Sequence, residues 1–409
     1  MNLSKYQRDG SSRKLAKVID VVVIVGAART PLAEFQGELS SLTTPELGAV
    51  AIEGAIKRAG VELALVDSVM MGCILSAGLG QAPARQAALK AGFGYDVHCA
   101  TLNKMCGSGL QALMLANDVI QANTSQAMVV GGMESMSNAP YLLPAMRKGA
   151  RIGHQGAQDH LYTDGLEDVY HQRLMGVYAE ATAEKYRFSR DQQDHFALES
   201  LKRARLATEQ GFFDNEIEPI TIEYKDTATK ISTDEHPRRV SSKKIATLKP
   251  AFIAGGTVTA ANSSALADGA AALLITSAAF AKKHKLTPLA KIVAHASHSQ
   301  APEWFTTAPI AVIQKLLDKT GWKKDEVDLF EINEAFAAVA MAAMQDLKLS
   351  HDRLNVYGGA CALGHPIGTS GARIVVTLLS ALKQRQLKRG IAAICIGGGE
   401  AVAVAVERL

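Results

Sequence analysis

Two residues in the sequence combine a reactive side chain with a tight, glycine-rich turn: Cys106 in "NKMCGSG" and His365 in "GHPIGTSG". A core histidine ordinarily lies within a regular helix or strand, so the glycine and proline beside His365 favour a functional site. Cys106 comes just before an apolar helical pattern, where the positive end of the helix dipole favours a thiolate. For a cysteine alone, the alternative is a small buried hydrophobic residue. With a histidine expected opposite it, we predict that Cys106 is a nucleophile.

A second thiol and an acidic motif also stand at the ends of strand patterns. Cys395 ends the last apolar strand and is followed by three glycines in "CIGGGEA", whose amides can face a developing oxyanion. Asn333 and Glu334 in "NEAFA" follow the strand pattern "VDLFEI", and taken alone they resemble a helix N-cap. The phosphate-loop and dinucleotide-binding patterns are absent, which argues against kinase-like and dinucleotide-binding functions.

The chain repeats itself at an offset of 261 residues. The stretches 55–74 and 316–335 share one plan: an amphipathic helix, a glycine, a turn and then Val-Asp at the start of a hydrophobic strand. The same offset carries Cys106 to Ile367, two residues from His365. We therefore predict two related α/β halves whose equivalent strand-to-helix turns bring Cys106 and His365 together.

The segment between the two repeats has a different character. It begins irregularly and then forms a helix whose start is marked by Ser189 and Gln192 in capping-box spacing and whose end is marked by Gly211. Such an insertion is expected to shape a substrate site. The predicted domains are a tail at 1–17, an N-terminal half at 18–135 plus 267–287, a loop domain at 136–266 and a C-terminal half at 288–409.

Composition limits the class of protein. With 409 residues, of which 48% are hydrophobic, the chain can bury a large core, and no apolar run is long enough to cross a membrane. The net charge of +4 is too small to argue for nucleic acid. The five cysteines include no CxxC pair, so we expect reduced thiols, no zinc site and a cytoplasmic setting. The basic first 17 residues lack an apolar segment, and we expect a frayed tail there in preference to a mitochondrial transit peptide.

Six motifs, in the right order and spacing, resemble the thiolase family, most closely its branch that acts on acetoacetyl-CoA. The resemblance runs from about Val21 to the C-terminus. It implies an α/β fold with two duplicated βαβαβαββ halves, which form a layered α-β-α-β-α core, and an inserted loop domain. The motifs are "NKMCGSGLQA", "GGMESMSNAPYLL", "GTVTAANSSALADGAAA", "NEAFA", "GHPIGTSGARI" and "CIGGGEA".

The resemblance also implies a reaction. Two acetyl-CoA molecules would condense reversibly to acetoacetyl-CoA and CoA through an acetyl group on Cys106, whose proton is accepted by His365. Cys395 would remove a proton from the methyl carbon of the second acetyl-CoA. Asn333 would hold a water that joins His365 at one oxyanion, and the amides of Cys106 and Gly397 would form a second oxyanion hole.

Four further residues are implied as substrate contacts: Ser264, Phe252, Met175 and Phe336. The last three would close the acyl pocket and favour short chains. The substrates are CoA thioesters, and no metal, resident cofactor, nucleic acid or membrane is expected. The family resemblance implies a homodimer or homotetramer and a role in fatty acid metabolism. The direction in which the reaction runs in the cell stays open.

The sequence departs from the family pattern in several places. Leu174 stands before Met175 where relatives often have histidine, Glu400 stands where glutamine is usual, and Cys361 is an additional thiol near His365. Four basic residues of the loop domain could meet the phosphates of CoA or could form a solvated surface: Arg238, Arg239, Lys243 and Lys244.

Three other readings stay open. A degradative thiolase would accept longer acyl chains at the same site. A ketoacyl synthase type of condensing enzyme shares the duplicated fold but lacks an equivalent of Cys395. A non-catalytic acyl-CoA-binding or lipid-binding relative would keep the fold without the chemistry, and the joint presence of Cys106, Asn333, His365 and Cys395 argues against it.

Overall fold

The computed structural model describes residues 20–224 and 227–409. The predicted N-terminal tail, 1–17, lies outside the described residues. Within the described ranges, no helix combines the length and hydrophobicity needed to span a membrane.

The first elements alternate between strands and helices, as the repeat predicts. Helix α1 starts with a capping box between Thr43 and Glu46 and ends at Gly60 in the left-handed conformation. The elements are β1 (Val22–Arg29), β2 (Ala33–Glu34), α1 (Thr44–Ala59), β3 (Ser68–Gly72), α2 (Pro83–Lys90), β4 (His98–Leu102), α3 (Ser108–Gln121) and β5 (Ala127–Ser135).

The inserted segment contains short hairpins and two longer helices. Its main helix is capped by Ser189, whose side chain accepts a hydrogen bond from the backbone of Gln192, so the predicted capping box is confirmed. The elements are β6 (Tyr141–Leu142), β7 (Gln158–Asp159), β8 (Glu167–Asp168), β9 (Arg173–Leu174), α4 (Met175–Tyr186), α5 (Arg190–Glu209), β10 (Ile220–Tyr224), β11 (Thr227–Ile231) and α6 (His236–Arg239).

The remaining elements complete the first half and form the second. Strand β12 returns to the N-terminal sheet and pairs with both β1 and β5. The elements are β12 (Ala267–Ser277), α7 (Ala278–Lys283), β13 (Ala290–Ser299), α8 (Ala308–Thr320), β14 (Leu329–Ile332), α9 (Ala337–Leu347), α10 (Ala360–Leu363), α11 (Ser370–Gln384), β15 (Arg389–Ile396) and β16 (Glu400–Arg408).

The two halves use the same strand pairings. In the first, β3 is parallel to β5, which is antiparallel to β12, which is antiparallel to β1. In the second, β14 is parallel to β15, which is antiparallel to β16, which is antiparallel to β13. The second half departs from the predicted order at one point, because the counterpart of β4 is reduced to a bridge between Phe330 and Leu354.

The repeat extends to individual backbone contacts. Gly321 ends α8 in the same left-handed conformation that Gly60 adopts after α1. The carboxylate of Asp67 accepts hydrogen bonds from the backbone of residues 126 and 127, and the carboxylate of Asp328 accepts them from residues 388 and 389. In each half, a carboxylate directly before one strand thus fixes the start of the parallel strand beside it, β5 beside β3 and β15 beside β14.

Three apolar clusters define five layers. Alternate residues of the N-terminal strands pack outward against α1 and α2, and the others pack inward against α3 and α11. Alternate residues of β15 and β16 reach the same central helices, while the others pack against α8 and α9. Helices α3 and α11 are therefore buried between the strand layers of the two halves, whose edge strands β1 and β13 also pair with each other, and the predicted α-β-α-β-α fold is confirmed.

A buried charge cluster attaches the inserted segment to the first half. The Arg29 guanidinium at the end of β1 is completely buried and pairs with Glu216 at 2.6 Å and with both oxygens of Asp234 at 2.7 and 2.9 Å. Removing one partner of such a buried pair leaves an unpaired charge, which typically costs about 3–5 kcal/mol. These ion pairs thereby attach the inserted segment to the end of β1.

Candidate active site

Cys106 lies in a strained turn between β4 and α3. Met105, just before it, adopts a left-handed φ of 48°, and the hydroxyl of Ser108 donates to the Met105 carbonyl at 2.7 Å. A side chain at Gly107 would come within 2.5 Å of the end of the Ile396 side chain, which would have to move to make room. The turn therefore holds the thiol in a fixed place next to the end of β15.

Burial dominates the electrostatics of Cys106. It raises the pKa of the thiol to about 11, although hydrogen bonds from the N–H groups of Gly397 and of Cys106 itself act in the opposite direction, and the charge of Glu134 adds to the rise. The prediction that the helix N-terminus favours a thiolate at rest is therefore wrong in its net direction. The thiol keeps its proton until a base accepts it.

His365 lies in a second turn, between α10 and α11. Gly364 has a φ of 101°, and the backbone N–H of His365 donates to the Ala265 carbonyl at 2.8 Å. The ring Nδ1 is 2.5 Å from the hydroxyl oxygen of Ser370, and that hydroxyl lies 3.0 Å from the Pro366 carbonyl, to which it donates. Because a hydroxyl has a single proton, Nδ1 is the donor to Ser370, and Nε2 keeps a free lone pair.

The imidazole of His365 is in the state that can accept a proton, although burial makes it a weaker base than a free imidazole. It is buried, Nε2 has no hydrogen-bond partner among the described residues, and burial lowers its pKa to about 3, with the charge of Arg373 acting in the same direction. The ring is thus neutral at physiological pH. A neutral imidazole and a protonated thiol are the complementary states that proton transfer from Cys106 requires.

Cys395 lies at the end of β15, beside the nucleophile. Burial raises the pKa of this thiol well above its usual value, and the charge of a Cys106 thiolate acts in the same direction. The strand then turns through Gly398 and Gly399, whose φ angles are 94° and 92°. A left-handed turn of this kind leaves backbone N–H groups free to face an anion.

The side chain of Asn333 is completely buried, and neither its oxygen nor its nitrogen has a hydrogen-bond partner in the part of the chain that the structure describes. The N-cap reading of Asn333 and Glu334 is wrong, because α9 starts at Ala337 and its N-cap is Phe336. Asn333 and Glu334 therefore lie before the helix, and neither caps it.

Glu334 is a residue whose function sequence reasoning missed. Its carboxylate accepts hydrogen bonds from the Ser200 hydroxyl at 2.8 Å, from the Asn355 amide at 2.8 Å and from the backbone N–H of Cys361 at 3.1 Å. It thereby fixes the segment that leads into the His365 turn. Sequence reasoning also missed Ser370, although it stands in the motif "GHPIGTSG", five residues after His365.

A cavity of about 380 Å³ brings together residues from both halves and from the insertion. Several of the predicted site residues line it: Cys106, His365, Gly397, Ser264, Met175 and Phe336. Cys395 and Asn333 are completely buried and do not line the cavity. Phe252 packs edge-to-face on Phe336, with ring centroids 5.9 Å apart, and lies over Gly176.

The hairpin formed by β8 and β9 covers one side of this cavity. Asp168 on β8 is buried and accepts hydrogen bonds from the Tyr178 hydroxyl at 2.8 Å and from the backbone of His171 at 2.7 Å. Val169 and Tyr170, at the tip of the hairpin, line the cavity and are 79% and 66% exposed. Sequence reasoning missed these two residues, because nothing in the local sequence distinguishes a turn that lines a cavity from any other surface turn.

Two of the four basic residues that were considered for phosphate contacts are paired with carboxylates. Arg238 contacts Glu38 at 2.6 Å, and Arg239 contacts Glu235 at 2.8 Å. Lys244 instead lines a separate cavity of about 220 Å³ that also includes Cys361. Lys243 is exposed and lines none of the cavities described, so Lys244 is the one of the four basic residues that lines a cavity.

Two family models match this chain over most of its length. The model described as the thiolase N-terminal domain matches residues 22–279, and the model described as the thiolase C-terminal domain matches residues 286–408. The boundary between the two matches falls in the connection between β12 and β13, where the second half of the fold begins.

Individual proteins are similar over nearly the whole chain. An acetyl-CoA acetyltransferase of Cupriavidus necator is 48% identical over 389 residues, which cover 95% of this chain and 99% of that protein. A crystal structure of the Bacillus anthracis acetyl-CoA acetyltransferase superimposes with a TM-score of 0.93 at 42% identity and covers 96% of this chain and 99% of that one. The Acat5 thiolase from Ascaris suum, solved in complex with coenzyme A, has a TM-score of 0.90 at 39% identity, with 95% and 100% coverage.

Proposed function

The chain belongs to the thiolase family, and on that premise we propose that it is an acetyl-CoA C-acetyltransferase. It is an acyltransferase that condenses two acetyl-CoA molecules to acetoacetyl-CoA and CoA and catalyses the reverse cleavage. The observation that carries the proposal is the meeting of Cys106, His365 and Gly397 on one cavity, with Cys395 buried beside Cys106.

The cleavage direction starts at Cys106. Nε2 of His365 accepts the thiol proton, and the thiolate attacks the 3-keto carbon of acetoacetyl-CoA. The carbon–carbon bond then breaks, the acetyl group stays on Cys106, and the thiol of Cys395 protonates the carbanion to give acetyl-CoA. The proton on His365 returns to Cys395, so that both groups are restored.

The second half of the cycle transfers the acetyl group. Free CoA gives its thiol proton to His365 and attacks the acetyl group on Cys106. The Cys106 thiolate leaves and recovers the proton from His365, and a second acetyl-CoA is released. Condensation is the same sequence in reverse, with the Cys395 thiolate as the base that removes a methyl proton. The raised pKa of Cys395 suits this task, because a thiolate with a high pKa is a stronger base.

Two groups of donors stabilise the oxyanions. The amides of Gly397 and Cys106, which act to lower the pKa of the Cys106 thiol, are proposed to bind the oxygen of a tetrahedral intermediate on that residue. Protonated Nε2 of His365 and a water held by the unpartnered amide of Asn333 bind the oxygen of the acetyl-CoA enolate.

The walls of the cavity support short-chain substrates. Met175 and Phe336 line it, and Phe252 packs edge-to-face on Phe336. The substrates are CoA thioesters, and the chemistry described needs no metal or resident cofactor. We further propose that the enzyme works in the cytoplasm as a homo-oligomer, in fatty acid metabolism, with reduced cysteines at its active site.

Incubation with acetyl-CoA, followed by mass analysis of peptides, tests the proposal together with an assay of acetoacetyl-CoA cleavage by free CoA. We expect one acetyl group on the peptide that contains Cys106 and protection of that residue from iodoacetamide. An acyl-CoA-binding protein would bind the thioester without acquiring an acetyl group. Similar kcat/KM values for acetoacetyl-CoA and a sixteen-carbon 3-ketoacyl-CoA would indicate a degradative thiolase.

A further inference from the structure

The turn that carries His365 rests directly on strand β5 of the other half. Gly132 and Glu134 alternate along β5 and therefore face the same side of the sheet. A side chain at Gly132 would come within 1.9 Å of the Gly368 carbonyl oxygen, so only glycine allows this approach. Two residues further on, the Glu134 carboxylate accepts the Gly368 N–H at 2.9 Å. The carbonyl of Gly368 thus packs against Gly132, and its N–H donates to Glu134, so both groups contact residues of β5.

The same carboxylate also holds the loop after β3. Glu134 is completely buried and accepts hydrogen bonds from the backbone N–H groups of Ile74 and Leu75, both at 3.1 Å. Ile74 and Leu75 form a small apolar cluster with Ile367, and Cys106 packs against this cluster. One side chain therefore connects the surroundings of the nucleophile to the turn that carries the base.

The other end of this turn is held in a comparable way. Glu334 accepts the backbone N–H of Cys361 at 3.1 Å, four residues before His365. Glu134 acts three residues after it, through Gly368. A buried carboxylate from each half therefore fixes one end of the segment, and the position of the imidazole relative to the thiol depends on both.

We propose that Glu134 is a positioning residue, which holds the His365 turn in register with the Cys106 turn. This inference rests on the proposed function, in which the two residues work as a pair. Glu134 touches no reacting atom and acts through the backbone of Gly368. Displacement of a base by about 1 Å can cost roughly 100-fold in rate, so a short clamp can have a large effect.

Two substitutions distinguish the hydrogen bonds that Glu134 accepts from the effect of its negative charge. Glu134→Gln keeps one acceptor oxygen but places an NH₂ group against a backbone N–H, so at least one hydrogen bond is lost. Glu134→Asp keeps the charge but withdraws it by one methylene from Gly368. If Glu134 acts as a clamp, both variants should be impaired; an Asp variant with full reactivity would mean that only the charge matters and would overturn the proposal.

The reactivity of Cys106 toward iodoacetamide is the readout, measured in a double-mutant cycle with His365→Gln at about pH 8.5, because burial raises the pKa of Glu134 to about 7 and the carboxylate is ionised above it. We expect Glu134→Gln to slow alkylation about tenfold in the wild-type background and less than about twofold when the imidazole is already absent. Equal slowing in both backgrounds, or no slowing in either, would overturn the proposal. If Glu134→Gln does not fold, Glu134→Asp takes its place in the cycle with the same expectations.

Asp67→Asn is the matched control. Asp67 also accepts two backbone N–H groups, but at the opposite end of β5, roughly 25 Å away by strand geometry. It should lower the melting temperature without changing alkylation of Cys106. Alkylation does not require acetyl-CoA, so coupling between Glu134 and His365 would stand even if the wild-type protein formed no acetyl-enzyme, an outcome that would refute the proposed function alone.

Discussion

The Ser370 hydroxyl oxygen lies 2.5 Å from Nδ1 of His365 and fixes the tautomer in which Nε2 accepts a proton. Both residues are buried, and Ser370 is the first residue of α11. The orientation of the imidazole thus depends on the start of a helix that lies between the strand layers of the two halves.

Replacing Ser370 with alanine should impair proton transfer. The imidazole would lose its partner at Nδ1 and populate the other tautomer, so we expect acetylation of Cys106 by acetyl-CoA to slow roughly 10- to 100-fold. The KM for acetoacetyl-CoA should change little, because Ser370 does not line the cavity. Rapid-quench mass analysis measures the rate. Ser380→Ala, on the same helix, is the control, and a Ser370→Ala rate within twofold of wild type would refute this role.

The neutral state of His365 predicts a pH dependence of stability. Its pKa is about 3 in the folded protein and 6.5 as the ordinary value, so the unfolded chain binds a proton as the pH falls through 6.5 and the folded chain does not. The free energy of unfolding should therefore fall as the pH drops from 7 to 4. His365→Gln should lose less stability over this range. Urea unfolding of both proteins at several pH values measures the difference, and parallel curves would contradict the assignment.

Met175 should limit the length of the acyl chain. Its sulfur would lie 3.3 Å from a side chain added at Gly397, so it closes the cavity above the nucleophile. Met175→Ala should raise the kcat/KM ratio of a six-carbon to a four-carbon 3-ketoacyl-CoA by about tenfold, since a few methylene groups are discriminated by space alone. Met341→Ala, which removes the same side chain from the adjacent core, should leave the ratio unchanged. If Met175→Ala left this ratio unchanged, Met175 would not be the residue that limits the length of the acyl chain.

The fold could be predicted from the sequence because its signals are local and duplicated. Gly60 and Gly321 end helices in the left-handed conformation, and Asp67 and Asp328 each stand directly before a strand, at the same offset. A glycine C-cap depends on a few neighbouring residues, so it can be read from the local sequence. The reduction of one strand to the bridge at Leu354 was not predictable, because it depends on packing across the second half.

Only part of the candidate active site could be predicted from the sequence. Cys106 and His365 stand in turns whose glycines are visible in the chain, and the structure brings both to one cavity. The contact between Glu134 and Gly368 joins residues 234 positions apart, so no local pattern can reveal it. The ionisation of Cys106 was misjudged because burial, which depends on the whole fold, outweighs the local effect of a helix start.

The division of labour between the two thiols is the central claim, and Cys395→Ala tests it most directly. The variant should still acquire an acetyl group on Cys106 from acetyl-CoA at close to the wild-type rate, because Cys395 takes no part in that half-reaction. It should lose acetoacetyl-CoA cleavage by at least about 100-fold, since no group remains to protonate the carbanion. Mass analysis of the Cys106 peptide and the loss of acetoacetyl-CoA absorbance report the two steps on one preparation. A folded variant that fails to acetylate, or one that cleaves acetoacetyl-CoA at near the wild-type rate, would contradict the account.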